Sequence, residues 1–193
     1  MAAAFCVSLG LAASIVAVFG MQRGVRAALP ATARLAFLLF WLAYAGAPLT
    51  SLFGGVFSPL REHARDLGLA FAGALLVHLA LVACLCVIGS APGLQTFVVF
   101  GVAAGFTYLL ALLSIRRVRQ ALPQKLWPPI RMVAMNYIAM AFLLDFAKLP
   151  SYDFYDALKY LPFAALAIGG PILKIAAWAQ RHTPGWLARL RTG

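Results

Sequence analysis

Long runs of apolar residues alternate with short polar connections along this chain. A helix needs about 20 mostly apolar residues to cross a bilayer. The pattern predicts membrane-spanning helices over residues 4–20, 35–55, 67–89, 94–115, 130–148 and 160–180. Residues 1–4 carry no Lys or Arg, so the first run is predicted to be a retained helix rather than a signal peptide. The chain is therefore expected to be all-α: a single domain, residues 1–193, forming a polytopic six-transmembrane-helix bundle.

The composition agrees with a membrane protein. The chain is 64% hydrophobic and 11% charged, whereas soluble domains average about 45–50% apolar and about 25% charged residues. The net charge of +11 would indicate nucleic-acid binding in a soluble protein. Here the Lys and Arg residues lie between apolar runs, so they are better explained by topology and by anionic lipids. The predicted partner is the lipid bilayer, and no nucleic acid is expected.

The distribution of basic residues predicts an orientation. With six spans, the N-terminus, the 57–66 connection, the 116–129 connection and the C-terminal tail share one side, and this side holds most of the Lys and Arg residues. The positive-inside rule places that side in the cytoplasm, so both termini are expected there. Interfacial aromatic residues such as Trp127, Trp178 and Tyr160 fall near the ends of the predicted helices, as they do in membrane proteins.

Small residues and prolines predict how the helices pack. Gly101 and Gly105 form a G-x-x-x-G pattern, which favours close approach of two helices. Two Gly- and Pro-containing stretches, residues 46–48 and 169–171, are predicted kinks. The three cysteines, Cys6, Cys84 and Cys86, all lie in apolar runs and are interpreted as packing residues rather than as a disulfide or metal pair.

His78 is the one ionisable residue near the middle of an apolar run. At 1.5 Å per residue it lies roughly 16 Å beyond Leu67, near the centre of a hydrocarbon layer about 30 Å thick. Helical spacing predicts that Phe71, Ala74, Leu75, Leu81, Val82 and Leu85 share its face. Ala74, one turn earlier, would leave room for a flat ring. An ionisable residue at this depth is a candidate functional site.

Two stretches carry a resemblance to a known family. The first covers 35–81 and includes the sequences PLREHARDLGL, residues 59–69, and ALLVHL, residues 74–79. The second covers 114–137, where a basic connection with Trp127 leads into the fifth helix. These stretches resemble the ferric-reductase-like transmembrane domain family, and most of all its heme-binding membrane subunits of bacterial periplasmic methionine-sulfoxide reductases. That family supplies further heme-ligating histidines from helix five. Here those positions hold Arg131 and Leu144, or Met135 and Lys148, depending on the register.

The resemblance implies a heme-b transmembrane electron-transfer subunit in the bacterial inner membrane, reduced to one histidine. His78 would be the axial ligand of the heme iron, and Met135, Met132 or Met140 the sixth ligand, unless the iron is five-coordinate. Since the chain has no flavin or nicotinamide motif, the electron donor would be a separate cytoplasmic flavin reductase or a quinol, and the acceptor a periplasmic redox partner. The basic 116–131 segment would face the donor.

Two other interpretations of His78 remain open. In the first, the protein is a non-catalytic membrane scaffold or assembly partner without heme, and the imidazole hydrogen-bonds a backbone carbonyl or a hydroxyl such as that of Thr107, Tyr108 or Tyr44. In the second, His78 marks a proton or substrate path, although Asp145 and Lys148 are explained by a surface ion pair. No motif of a soluble enzyme is present and no catalytic residue is predicted, so the sequence leaves enzymatic activity undecided.

Overall fold

The computed structural model describes residues 1–147 and 154–182, with side chains from residue 158 onward in the second range. These ranges contain α-helices, one 3-10 turn and no strand. The elements are α1 (Ala2–Phe19), α2 (Met21–Phe53), the 3-10 turn (Gly55–Phe57), α3 (Ser58–Glu62), α4 (Ala64–Val87), α5 (Leu94–Leu113), α6 (Arg116–Ala121), α7 (Trp127–Phe146) and α8 (Phe154–His182). Six of these helices, α1, α2, α4, α5, α7 and α8, are long and apolar enough to cross a membrane. The predicted all-α polytopic bundle is confirmed.

Helix α2 differs most from the sequence prediction. It begins at Met21 rather than near residue 35, and its 33 residues include Pro30 and Pro48. Its length is about 50 Å, well beyond the thickness of a hydrocarbon layer. Arginines and a proline in this first part, Pro30, are typical of a connection, since proline removes a helical hydrogen bond. The helix continues because residues around Val25 and Ala28 pack into a buried cluster with α1 and α4.

Five helices form a closed ring around one apolar core. Going around the ring, α4 packs on α2, α2 on α8, α8 on α7, α7 on α5, and α5 back on α4. Aromatic rings fill the centre: Phe37, Phe40, Phe71, Phe142, Phe146 and Phe163 contact one another with centroids 4.8–6.3 Å apart. The α4–α5 contact is the sparsest of the five, and this seam borders the cavity described below.

Helix α1 lies outside the ring, against α2 and α4. A single residue, Gly20, with φ of 76°, joins it to α2. Gly24 permits close packing of the two helices, because a Cβ there would lie 2.5 Å from the Cα atom of Val16. The Met1 carbonyl lies beside Gly73, in the middle part of α4. Farther along α4, Val77 and Leu81 share a buried cluster with Ala12 of α1 and Val25 of α2, so both helices pack beside the part of α4 that carries His78.

The stretches 46–48 and 169–171, predicted to be kinks, lie inside α2 and α8, which remain helical through Pro48 and Pro171. A Cβ at Gly46 would lie 2.9 Å from the Leu60 backbone, and one at Gly170 would lie 3.3 Å from the Trp41 and Tyr44 rings, so both glycines permit close approach. The G-x-x-x-G prediction is wrong within the described residues: neither Gly101 nor Gly105 has an atom within 4 Å of such a Cβ. No helix was available to pack there, because α5 meets α4 only sparsely and Gly101 lines a cavity instead.

Candidate functional site

His78 lies in the interior part of α4, roughly 21 Å from its start at Ala64 and about 14 Å from its end at Val87 by helical rise. His78 therefore lies several turns from either end of α4. The side chain is partly buried. The face it shares differs in part from the prediction: Phe71, Leu75, Val82 and Leu85 line a cavity with it. Ala74 and Leu81 do not, since Ala74 accepts a long 3.5 Å hydrogen bond from Ser8 of α1 and Leu81 belongs to the cluster between α1, α2 and α4.

Thr32 of α2 is the hydrogen-bond partner of His78. Its Oγ1 atom lies 3.0 Å from Nδ1 of the imidazole, and the residue is fully buried at 0% exposure. The same Oγ1 atom lies 3.0 Å from the carbonyl oxygen of Ala28 and 3.1 Å from that of Leu29, one turn earlier in α2. The ring is therefore fixed against α2 at one of its two nitrogens.

These contacts indicate which imidazole nitrogen carries the proton. A hydroxyl has one hydrogen, and the two carbonyl oxygens beside Thr32 Oγ1 can only accept. We assign the hydroxyl hydrogen to these carbonyls, as is usual for a helical threonine. Nδ1 of His78 then donates to Oγ1, and Nε2 keeps its lone pair. A neutral imidazole in this tautomer can accept a hydrogen bond or bind a metal through Nε2.

A cavity of about 460 Å³ lies between α2, α4, α5 and α7, and His78 forms part of its wall. This volume falls within the range of small-molecule and cofactor sites, about 300–1,000 Å³. Most of the lining is apolar, with Phe71, Phe100 and Phe142 among its residues. The α5 part of the wall includes three small residues, Gly101, Ala103 and Ala104, beside Phe97 and Phe100. The cavity can accept a flat apolar molecule beside the imidazole.

Charged residues line another part of this cavity wall. Arg26, Arg34 and Asp145 all contribute to it. Arg26 donates a 2.9 Å hydrogen bond to Ser90 Oγ, and the guanidinium of Arg34 lies over the ring of Tyr160 at 4.7 Å. The Nε atom of Arg34 is buried, and in the described part of the chain it has no hydrogen-bond acceptor. A buried donor in this state favours a ligand that carries an acceptor group.

The predicted sixth ligands are not brought to this cavity. Met135 lines two other cavities, near the arginine-rich ends of α3 and α7. Met132 is 55% exposed and Met140 is 45% exposed, and neither lines the cavity of His78. Among the described residues of its wall, His78 is the only histidine, and no methionine or cysteine is present. The structure therefore separates His78 from Met135.

The hydroxyls predicted as partners of His78 have other contacts. Thr107 lines the same cavity but donates to the Ala103 carbonyl of its own helix at 2.8 Å. Tyr108 donates to Ala72 at 3.5 Å. The actual partner, Thr32, was missed because it lies in the stretch interpreted as a connection. The sequence around Thr32 is compatible with a continuing helix, since alanines and leucines surround the threonine.

A second polar cluster, not predicted from the sequence, joins α2, α7 and α8. The Oδ1 atom of Asn136 accepts hydrogen bonds from Lys174 Nζ at 2.7 Å and from the Tyr44 hydroxyl at 3.1 Å. The Lys174 ammonium also lies 4.9 Å from the centre of the Tyr44 ring. Lys148, the predicted ion-pair partner of Asp145, lies outside the described residues.

Comparisons with known proteins do not identify the chain: no protein-family model matches it, and no curated protein and no solved structure matches it significantly. Within the described ranges, no group of three or more His, Cys, Asp or Glu side chains is placed to hold a metal ion. A heme iron needs only one or two axial side chains from the protein. The resemblance to the ferric-reductase-like family therefore stays a prediction.

Proposed function

We propose that this protein is a membrane electron-transfer subunit that binds one heme b in the cavity of His78. The observation that carries the proposal is the placement of one imidazole, fixed through Nδ1 by a buried threonine, in the wall of an apolar cavity of about 460 Å³. Metal-ligating histidines almost always donate their other ring N–H to a fixed acceptor. The arrangement of Thr32 and His78 has this form.

The residues present fit a five-coordinate heme better than a His/Met pair. His78 would supply the axial nitrogen, and the small residues of α5 would leave room for the ring. Carboxylates at the edge of a porphyrin could pair with two cationic groups of the cavity wall, Arg26 and Arg34, of which Arg34 has a buried Nε without an acceptor in the described residues. Such a group, when bound, supplies one-electron redox chemistry. The roles of the chain are to orient the imidazole, to enclose the site in apolar side chains and to neutralise anionic substituents.

The proposed location is a bacterial inner membrane, and the proposed partners are redox proteins or a quinol. The arginine-rich ends and connections would face the cytoplasm of a bacterial inner membrane, in line with the positive-inside rule. Electrons would come from a cytoplasmic flavin reductase or a quinol and pass to a periplasmic redox partner, as the family resemblance implies. Because no flavin or nucleotide motif is present in the chain, the donor would be a separate protein or a membrane quinol.

A reduced-minus-oxidised absorbance spectrum tests the proposal. The full chain would be purified in detergent after expression with added heme. We expect a sharp b-type α-band that His78→Ala abolishes. The matched control is His63→Ala, since His63 is exposed and its Nδ1 contacts only the nearby Pro59 carbonyl. A colourless protein, or equal loss of the band in both variants, would contradict the proposal, provided that size-exclusion profiles show both variants folded.

A scaffold or assembly role without heme is the second candidate, in which the polar contacts of His78 serve helix packing alone. The Thr32–His78 contact joins α2 to α4, and Trp41 Nε1 donates to the Leu166 carbonyl at 2.8 Å, joining α2 to α8. Polar contacts of this kind stabilise helix packing in membranes by about 0.6 kcal/mol on average. If this is the sole role of His78, the protein is colourless and His78→Ala lowers only its thermal stability.

A further inference from the structure

Basic side chains from three helices converge on a second large cavity. This cavity, of about 690 Å³ and called here the basic cavity, lies between α2, α3, α7 and α8, and its cationic lining residues are Arg61, Arg131, Lys174 and Arg181. No Asp or Glu is found among the described residues that line it. A smaller cavity of about 260 Å³ adjoins it and shares Arg61 and Arg131 in its wall.

We propose that the basic cavity binds the phosphate headgroup of an anionic phospholipid. Like charges around one cavity repel each other, and an anion among them removes that cost. Basic pockets between membrane helices on the cytoplasmic side are a known form of anionic-headgroup site. Guanidinium groups suit a phosphate in particular, because their planar donors match its oxygens in pairs.

Topology alone accounts poorly for this convergence. A positive-inside bias is satisfied by basic residues anywhere along the connections, as by Arg116 and Arg117, which are exposed and line neither cavity. Lys174 is different, since it lies roughly 12 Å from the end of α8 at His182. The 2.7 Å hydrogen bond to Asn136 Oδ1 and the contact with the Tyr44 ring hold its ammonium at the cavity wall.

The apolar residues around the basic cavity favour a lipid over a soluble anion. Met132 and Trp178 both line the cavity and are 55% and 61% exposed. On a membrane-spanning bundle, such exposed apolar side chains face acyl chains. The ring of Trp178 stacks on His182 at 4.6 Å, at the end of α8. A molecule with a phosphate among the four cations and acyl chains along these residues fits both parts of the site.

Native mass spectrometry of the full chain in neutral detergent tests the proposal. We expect retention of phosphatidylglycerol but not of phosphatidylcholine of equal chain length. The variant Arg131→Gln/Arg181→Gln should lower phosphatidylglycerol retention about tenfold or more, since each basic group near an anionic lipid contributes measurably to binding. The matched control is Arg116→Gln/Arg117→Gln, which removes two charges at the same end and should retain the lipid.

Three results would overturn the proposal: equal retention of the two lipids, equal loss in both double variants, or displacement of phosphatidylglycerol by millimolar inorganic phosphate. The second result would indicate diffuse surface attraction, and the third a soluble phosphate ligand. The comparison of the two lipids uses the unmodified protein, so it tests headgroup binding even if a double variant does not fold.

Discussion

Replacing Thr32 with valine removes the one side-chain hydrogen bond that the structure gives to the His78 imidazole. Valine keeps the β-branched shape of threonine and loses only the hydroxyl. The Thr32 site is fully buried, and its Oγ1 lies 3.0 Å from Nδ1 of His78. The variant leaves the Nδ1–H group without this acceptor, so the imidazole is held less firmly against α2. We expect it to weaken heme binding without removing the axial ligand.

The two candidate functions predict different magnitudes for this change. Loss of the group that hydrogen-bonds the non-ligating nitrogen of a metal-bound histidine lowers metal affinity by roughly 10- to 100-fold. This corresponds to about 1.4 to 2.8 kcal/mol of binding free energy. If the contact serves packing alone, the cost falls on the stability of the fold. There it is about 0.6 kcal/mol on average and about 1.7 kcal/mol at most for a polar contact inside a membrane.

Titration of the heme-free protein with hemin, followed by absorbance, measures the affinity. Thr107→Val is the matched control, because Thr107 lines the same cavity and its hydroxyl bonds only to its own helix at Ala103. We expect the control to bind heme as the unmodified protein does. If Thr32→Val and Thr107→Val bind heme with the same affinity as the unmodified protein, the assigned role of Thr32 is wrong.

Three further predictions concern packing and orientation. Gly24→Ala should lower the free energy of unfolding in detergent by about 1–3 kcal/mol, because its Cβ would lie 2.5 Å from the α1 backbone. Gly10→Ala is the control, since a Cβ there meets open space and should leave stability unchanged or slightly raised. Similar melting curves for the two variants would contradict the α1–α2 contact. Trp41→Phe should lower the free energy of unfolding by about 0.6 kcal/mol, because it removes the 2.8 Å hydrogen bond to α8. Trp178→Phe, at an exposed tryptophan, should leave stability unchanged, and an equal loss in both variants would contradict a stabilising role for the Trp41 hydrogen bond. A reporter fused after Gly193 should be active in the cytoplasm, by the positive-inside rule; activity only outside it would refute the proposed orientation.

Much of the fold was predictable because the bilayer restricts the choices. A spanning segment must satisfy its backbone hydrogen bonds internally, so each apolar run of about 20 residues becomes a helix. The predicted segments 67–89 and 94–115 correspond closely to α4 at Ala64–Val87 and α5 at Leu94–Leu113. The start of α2 was not predictable in this way. Its first turns carry arginines and precede Pro30, and contacts with α1 and α4, distant in sequence, keep them helical.

The candidate site shows the same division. The sequence placed His78 in the interior of a helix, since apolar residues extend on both sides of it. It did not indicate Thr32 as the partner, because the two residues are far apart along the chain and only the packing of α2 on α4 brings them within 3.0 Å. The proposed pairing with Met135 failed geometrically for a related reason. Met135 lies nearer the start of α7, in the wall of other cavities, whereas later residues of the same helix, such as Phe142 and Asp145, line the cavity of His78.

Sequence alone determined that this chain is a multi-span helical membrane protein, that most of its basic residues lie in the connections and at the ends of the apolar runs, and that one histidine lies in the interior of an apolar helix. These properties follow from local composition, because hydrophobic transfer and charge solvation act on each segment separately. Tertiary structure alone decided which hydroxyl contacts the imidazole and which side chains border its cavity. It also decided that basic residues from separate helices line a second cavity. Such neighbours depend on how side chains interlock between helices in lipid, and no local pattern in the sequence records that.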